Sequence, residues 1–220
     1  MSIDNGDVNN WSGTKRVIAR IQGSENFINP DEEAENGYFQ GRRIIGRDTA
    51  IVGGVYLGSG SREAIVVDEK YGELTKAYDK LQENLAQGLK EENILSQVYN
   101  FVCNTMPYSP KAVERVRKDY DLIADQKVSL DLYIHYHGGY CRHQALLTGY
   151  LLEKLTKDNF LGGRVSIDRN YNEAGKGHAW VRYTDANGEI YIVDPAQSFV
   201  GKEKDKKITG WNYKRPMSNS

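Results

Sequence analysis

One pattern restricts the fold of this chain more than any other: a helix-length apolar stripe followed by three short strand-like runs. Residues 141–156 repeat apolar side chains at helical spacing, which predicts a buried helix that begins at Cys141. The runs GRVSID, GHAWVRYT and EIYIVD come next, and DANG joins the last two. We therefore expect three strands after the helix, with a hairpin formed by the second and third.

The rest of the chain divides into segments of different character. Residues 1–13 are polar and rich in Asn and Asp, a composition that predicts a disordered lead-in. Residues 14–70 form a β-rich N-terminal segment, because turn-forming residues separate the β-prone runs VIARI, RRIIG, DTAIVGGVYL and EAIVVD. The last two of these runs are typical of a hairpin. Residues 71–200 are expected to form the core, and residues 201–220 a basic, mobile C-terminal tail.

Helical spacing marks the part of the core that precedes Cys141. Two apolar stripes lie between Tyr71 and Met106, and Gly88 is expected to separate the two helices. A short charged helix is predicted around residues 111–118, and an irregular stretch is expected to lead from it to the Gly-Gly pair before Cys141.

Composition excludes several classes of partner. The 220 residues suit one domain, and 29 Lys and Arg balance 30 Asp and Glu, so no overall charge would attract nucleic acid or an anionic membrane. The chain has neither a basic start with an apolar run nor about 18 consecutive apolar residues anywhere, so a cytoplasmic protein is expected. Export by a route without a cleaved signal stays open.

Cys141 is the candidate nucleophile. A thiol with an ordinary pKa of about 8.5 is mostly protonated at neutral pH, and the start of a helix favours its anion. Gly138 and Gly139 would let the backbone turn sharply and approach a substrate, and the Cys141 N–H could face a developing oxyanion. The other cysteine, Cys103, follows an apolar stripe and is interpreted as a small buried hydrophobic residue.

The expected hairpin carries the candidate base and its partner. His178 begins the apolar strand HAWV, and Asp194 ends the strand IYIVD just before Pro195. Side chains alternate between the faces of a strand, so only an odd-length connection or a bulge puts the imidazole and the carboxylate on one face. A three-residue connection would make the two residues diagonal neighbours, and a five-residue connection would place them directly opposite each other.

Three blocks in this order resemble the core of transglutaminase-like proteins. GGYCRHQALLTGYLLEKL carries the cysteine, GHAWVRY the histidine and IYIVDPA the aspartate, and the helix ILSQVYNFVCNTMPYS resembles the one that precedes this core in bacterial members. The resemblance covers roughly residues 92–197. It implies an α+β, papain-like fold in which the nucleophile begins a central helix that packs on an antiparallel sheet.

The resemblance also implies acyl transfer through a thioester. Cys141 would attack a protein or peptide amide, His178 would serve as general base and acid, and Asp194 would orient the imidazole. Water would give proteolysis or deamidation, which we favour over crosslinking by an amine. No cofactor or metal is expected. The alternative is a transglutaminase-fold interaction module that has lost turnover.

The expected substrate cleft is less well defined. Many members of the family use an upstream Trp, Gln or Asn side chain in the oxyanion hole, and this chain has none in that stretch. Tyr136 or His137 could donate instead. Gly139, Tyr140 and Trp180 complete the candidate cleft, although a core or rim aromatic is the favoured interpretation of Trp180.

A zinc site is the rival interpretation of this region. His135, His137, Cys141 and His143 are all potential zinc ligands. On a helix, however, Cys141 and His143 would project about 200° apart, so a single ion could hardly reach both side chains. Arg142 and His143 are instead expected to face solvent or to cap neighbouring structure.

Overall fold

The computed structural model describes residues 13–58, 60, 62–85, 90–172, 176–205 and 211–215. These residues form a mixed α+β structure with antiparallel sheets, in agreement with the predicted fold class at this level. In chain order the elements are α1 (Gly13–Ile21), β1 (Phe27–Ile28), β2 (Tyr38–Phe39), β3 (Arg42–Arg43), β4 (Val55–Leu57), β5 (Ala64–Val66), α2 (Glu73–Asn84), α3 (Glu91–Thr105), α4 (Pro110–Asp119), β6 (Lys127–Ser129), α5 (Leu130–His135), α6 (Cys141–Lys157), β7 (Arg164–Tyr171), β8 (Gly177–Thr184), β9 (Ile190–Asp194) and β10 (Phe199–Lys202). None of the helices in the described part of the chain combines the length and apolar character needed to span a bilayer.

The largest sheet has the strand order β10-β9-β8-β7 and is antiparallel throughout. Its β8–β9 hairpin pairs Thr184 with Ile190, and the Asp185 N–H donates to the Glu189 carbonyl at 3.0 Å. Residues 186–188 therefore form a three-residue turn, which is the shorter of the two odd-length connections considered from the sequence. Gly188 adopts φ +83°, a left-handed conformation that glycine takes without steric cost.

Helix α6 packs on one face of this sheet and is buried along most of its length. Leu146, Leu151 and Leu155 are fully buried, and they share a core with Ile167 and Val181 from the strands. Helix and sheet approach closely at Gly149. A Cβ atom there would lie 2.7 Å from the terminal methyls of both Ile167 and Ile51. We attribute the glycine at this position to that close approach.

The opposite face of the same sheet carries His178 and Asp194. Side chains alternate, so His178 and Trp180 point away from the face that Ala179 and Val181 present to α6. Continuing the β8–β9 register places Trp180 opposite Asp194, which makes His178 and Asp194 diagonal neighbours. A small second core covers this face, formed by Trp180, Ile192, Phe199 and Tyr213.

The helices before α6 follow the predicted pattern with small shifts. Helices α2 and α3 occupy the two apolar stripes, while the expected separator Gly88 lies outside the described residues. Helix α4 begins at Pro110, and the Ser109 hydroxyl caps it by accepting from the Ala112 N–H at 3.2 Å. The stretch before the glycines is not irregular, because it contains β6 and α5.

The N-terminal segment differs from its prediction at its beginning. The run VIARI, expected to be β-prone, belongs to helix α1, and the β4–β5 hairpin forms as predicted from the last two runs. Helical spacing explains the difference, since Val17 and Ile21 lie one turn apart and bury one face while Arg20 stays outside. Of the expected lead-in 1–13, residues 1–12 lie outside the described part, and Gly13 begins α1.

The C-terminal segment also differs from the expected mobile extension. Strand β10 begins at Phe199 and continues the main sheet, and residues 211–215 return across the face that carries His178. Arg215 holds this return in place through Asp168 at 2.6 Å, Ser166 at 2.6 Å and Asp48 at 2.7 Å. Lys202, Lys204 and Arg215 all form ion pairs within the fold, while residues 206–210 and 216–220 of the expected tail lie outside the described part.

Candidate active site

The fold places Cys141 at the first residue of α6, as predicted. Tyr140 is the N-cap residue, and its N–H donates to His143 Nδ1 at 2.9 Å. The first N–H groups of a helix have no acceptor within the helix, and the helix dipole is positive at this end. Both effects favour a thiolate at Cys141.

The structure brings the three predicted triad residues together. His178 Nε2 lies 2.6 Å from Asp194 Oδ2, which leaves Nδ1 as the ring nitrogen available to the Cys141 sulfur. The thiol and the imidazole line the same cavity, and their interaction shifts the pKa of both groups. The His178 and Asp194 side chains are almost completely buried, whereas Cys141 is partly exposed to a cavity.

Electrostatics favour an ion pair between the thiol and the imidazole. Burial alone would raise the pKa of Cys141, but the hydrogen bond and charge of His178 outweigh it and lower the pKa below the ordinary value. For His178, burial opposes the charged form, yet the bonds to Asp194 and Cys141 raise the pKa to about 9. Both shifts therefore favour a thiolate beside an imidazolium over a neutral thiol beside a neutral imidazole.

Asp194 has further partners, which the sequence did not indicate. Its Oδ1 accepts from the Gln197 N–H at 3.2 Å, and its Oδ2 accepts from the Tyr213 hydroxyl at 2.9 Å. The Trp211 ring stacks on the His178 ring, with centroids 4.8 Å apart. The returning C-terminal segment thus fixes both the carboxylate and the imidazole.

Replacing Tyr213 by Phe is expected to lower the free energy of unfolding by about 1.5–3 kcal/mol, because a buried hydrogen bond to a carboxylate is lost. Urea denaturation at pH 7 measures the change. Tyr71→Phe is the matched control, since Tyr71 is 63% exposed. Equal midpoints for Tyr213→Phe and the unaltered protein would show that Tyr213 does not hold Asp194.

A second buried network ties the N-terminal segment to the start of α6. Glu63 is 1% exposed and accepts from the Tyr133 hydroxyl at 2.9 Å and from the Arg142 guanidinium. His143 Nε2 lies 3.4 Å from the same carboxylate. Burial lowers the pKa of His143 to about 3, so its ring is neutral and caps the helix. Of the two positions expected for His143, the structure shows the cap and not exposure to solvent.

Replacing Glu63 by Gln is expected to cost about 3 kcal/mol of unfolding free energy, because Arg142 is left without its buried partner. Burial alone raises the pKa of Glu63, but hydrogen bonds from His143 and Arg142 outweigh burial and hold it well below its ordinary value. A depressed folded pKa stabilises the protein above the unfolded pKa, near 4.3, and this contribution is lost as pH falls below it.

Denaturant titrations at pH 7 and pH 3 measure both effects of Glu63→Gln. The difference in unfolding free energy between Glu63→Gln and the unaltered protein should be smaller at pH 3 than at pH 7. Glu83→Gln, at an exposed site on α2, is the control that should change neither titration. A pH-independent difference would contradict the charged state assigned to Glu63.

A cavity of about 150 Å³ opens beside the Cys141 sulfur. Its walls come from the N-terminal segment, the start of α6 and the facing ends of β7 and β8. The lining residues are Tyr56, Gly58, Arg62, Cys141, Arg142, Arg169, Asn170, Tyr171, Gly177, His178 and Ala179. The β-rich segment, whose role the sequence did not indicate, therefore supplies one wall of the cleft.

None of the other predicted cleft residues lines this cavity. Trp180 is fully buried beneath His178, and Tyr136 bonds to Asp119 at 2.9 Å on the outside of α5. His137 is exposed and lines a different depression. Tyr136 and His137 turn away from the cavity along α5 and the turn that follows it, and Trp180 takes the core role that was the alternative for it.

Gly139 has a role in packing, and Tyr140 lies at the edge of the cavity. A Cβ on Gly139 would lie 2.7 Å from His143 Cβ and 2.8 Å from Met106 Sδ, so this glycine permits close packing against protein, not substrate. The Tyr140 ring lies beside the cavity wall, with the guanidinium carbons of Arg62 and Arg142 at 5.5 and 5.4 Å from its centroid.

The structure offers Asn170 in place of the upstream donors considered from sequence. Asn170 pairs directly with His178 across β7 and β8, lines the cavity and is 2% exposed. An amide at this position can donate a hydrogen bond into the cavity. The pairing of GRVSIDRNY with GHAWVRYT was the signal that could have identified it.

The zinc alternative gains no support from the coordinates. His135 and His137 are exposed, while His143 is buried against Glu63. Among the described residues, no three His, Cys, Asp or Glu side chains come together as a metal site would require. Cys103 lies on α3 and is half-buried rather than fully buried, and burial raises its thiol pKa.

Comparison with known proteins gives no match: no family model, no curated protein and no solved structure matches the chain. The site geometry is therefore the basis for any functional proposal.

Proposed function

We propose that this chain is a cysteine-dependent enzyme of transglutaminase-like, papain-like type that transfers acyl groups from protein or peptide amides. The observation that supports this most is the convergence of three side chains: Cys141 and His178 line one cavity and shift each other's pKa, and His178 bonds to the buried Asp194. A structural cysteine needs neither a histidine with a raised pKa nor a buried carboxylate behind that histidine.

The proposed reaction has two halves. The Cys141 thiolate attacks the amide carbonyl, the electron pair of the carbonyl moves to oxygen, and the resulting oxyanion faces the Cys141 N–H and the Asn170 amide. His178 then gives its proton to the departing amine as the C–N bond breaks and a thioester forms. Water, deprotonated by the now neutral His178, attacks the thioester and restores the thiolate.

Hydrolysis or deamidation is proposed ahead of crosslinking. Crosslinking requires the enzyme to bind a second, amine-bearing substrate near the thioester, whereas water needs no such site. The cavity beside Cys141 measures about 150 Å³, which is small compared with typical ligand pockets of roughly 300–1,000 Å³. A reducing compartment such as the cytoplasm suits the reaction, because Cys103 and Cys141 are both free thiols.

A peptide mixture with an added primary amine tests the proposal in one experiment. Mass spectrometry distinguishes new peptide termini, conversion of Gln to Glu and incorporation of the amine, which report proteolysis, deamidation and transfer. We expect hydrolytic products with the unaltered protein and none with Cys141→Ala. Identical spectra for the two proteins, both folded, would favour the alternative of an inactive interaction module.

A further inference from the structure

The cavity beside Cys141 is lined by positive charge. Arg62, Arg142 and Arg169 contribute to its wall, and no Asp or Glu is among the described residues that line it. His178, the fourth cationic group in the lining, has a raised pKa and carries a proton at neutral pH. The lining of the substrate end therefore contains more cationic than anionic groups.

Only one of the three guanidinium groups has a carboxylate partner within the described residues. Arg142 pairs with Glu63. Arg169 donates to the Leu57 carbonyl at 2.6 Å and to the Thr14 hydroxyl at 3.0 Å, both neutral groups, and stacks on the Tyr56 ring at 4.7 Å. Arg62 stacks on Tyr140 and forms no ion pair with the described part of the chain.

The buried guanidinium group of Arg169 lowers the stability of the protein when no ligand is bound. The residue is 8% exposed, and its Nη2 has no hydrogen-bond acceptor. A buried cation without a counter-ion is strongly destabilising, and a ligand that accepts a hydrogen bond from Nη2 would offset that cost.

We propose that the cavity binds an anionic group of the substrate, namely a carboxylate next to the amide that Cys141 attacks. Guanidinium groups bind carboxylates with paired, charge-assisted hydrogen bonds, and Arg62, the more exposed of the unpaired two, would meet the anion first. The carboxylate is either an acidic side chain or a free chain terminus. The inference names a substrate class for the proposed function and rests on it.

Two alkylating reagents of nearly equal size test the charge preference. Iodoacetate is anionic and iodoacetamide is neutral. The rate with iodoacetate divided by the rate with iodoacetamide is measured at Cys141 and compared with the same ratio for 2-mercaptoethanol, a thiol without neighbouring charges. We expect the Cys141 ratio to be higher by about fivefold for each effective cation, as for unit charges roughly 8 Å apart at an effective dielectric constant of about 40. Added salt should reduce it.

Substitution of Arg62 separates this proposal from a simpler role for the arginines. If they serve only to stabilise the thiolate, Arg62→Gln slows both reagents equally and leaves the ratio unchanged, which would overturn the proposal. We expect the ratio to fall by about fivefold. Arg164→Gln, exposed at the opposite end of β7, is the matched control and should leave the ratio as it was.

Protection against alkylation identifies the source of the carboxylate. N-acetylglutamate α-amide carries a side-chain carboxylate, N-acetylglutamine a terminal one, and N-acetylglutamine amide neither. We expect one charged compound to slow iodoacetamide at Cys141 at a concentration where the neutral one does not. Equal protection by all three, or a ratio no higher than that of 2-mercaptoethanol, contradicts the anionic subsite. The rate ratio tests the anionic subsite, whereas the absolute rate of alkylation tests Cys141 as a nucleophile. The ratio can be measured at any absolute rate, so the two proposals can fail independently.

Discussion

In the His178→Gln variant, iodoacetamide is expected to alkylate Cys141 roughly 10- to 100-fold more slowly at pH 6 than in the unaltered protein. The imidazolium is the main group that lowers the thiol pKa, and without it burial raises that pKa instead. An ordinary thiol is less than about 1% thiolate at pH 6. The greater intrinsic reactivity of a more basic thiolate offsets part of this loss.

Cys103 serves as an internal reference in the same experiment. Its thiol pKa is raised by burial and it lies on α3, so its slow rate should not respond to His178. His135→Gln, at an exposed site, is the matched control. Equal, slow alkylation of both cysteines in the unaltered protein would instead favour the inactive module.

Replacing Asp194 by Asn is expected to lower kcat/KM for amide cleavage by roughly 10²- to 10⁴-fold. Asp194 is fully buried and its Oδ2 accepts from His178 and from Tyr213. An amide nitrogen in that position would face two donors, so the imidazole loses both its charge partner and its fixed orientation. Asp79→Asn, on the exposed face of α2, should have no effect.

The pH profile of Asp194→Asn separates an electrostatic role from simple misfolding. Protonated His178 is required to release the amine, so activity should fall as pH rises through about 9 in the unaltered protein. Without the carboxylate, the raised pKa should return toward about 6.5, and the alkaline fall should move down with it. The protonated ring also stabilises the fold fully below about pH 6.5, and this contribution is lost as pH approaches 9. An alkaline limb that stays in place would contradict the proposed role of Asp194.

The sequence alone was sufficient for those features that short segments determine. The position of Cys141 follows from helical spacing, and the DANG turn fixes the β8–β9 register because Asp185 accepts from the Asn187 and Glu189 N–H groups, each at 2.8 Å. That register in turn puts His178 and Asp194 on one face. Each of these inferences depends on residues close together in the chain.

The walls and supports of the site depend on contacts between distant segments, which periodicity does not reveal. Tyr213 reaches Asp194 only because residues 211–215 return across the sheet, and Glu63 reaches Arg142 only because the β4–β5 hairpin packs beside α6. The prediction of a strand for VIARI was wrong for a related reason. Burial of Val17 and Ile21 against the β4–β5 hairpin outweighs the β-propensity of the run.

The central claim is that Cys141 and His178 form a thiolate–imidazolium pair. The most direct test is a pH titration of thiolate ultraviolet absorbance, taken as the difference between Cys103→Ala protein and the same protein that also carries Cys141→Ala. We predict a midpoint clearly below the value of about 8.5 for an ordinary thiol. A midpoint at or above about 8.5 in the folded protein would contradict the pair and, with it, the proposed enzyme.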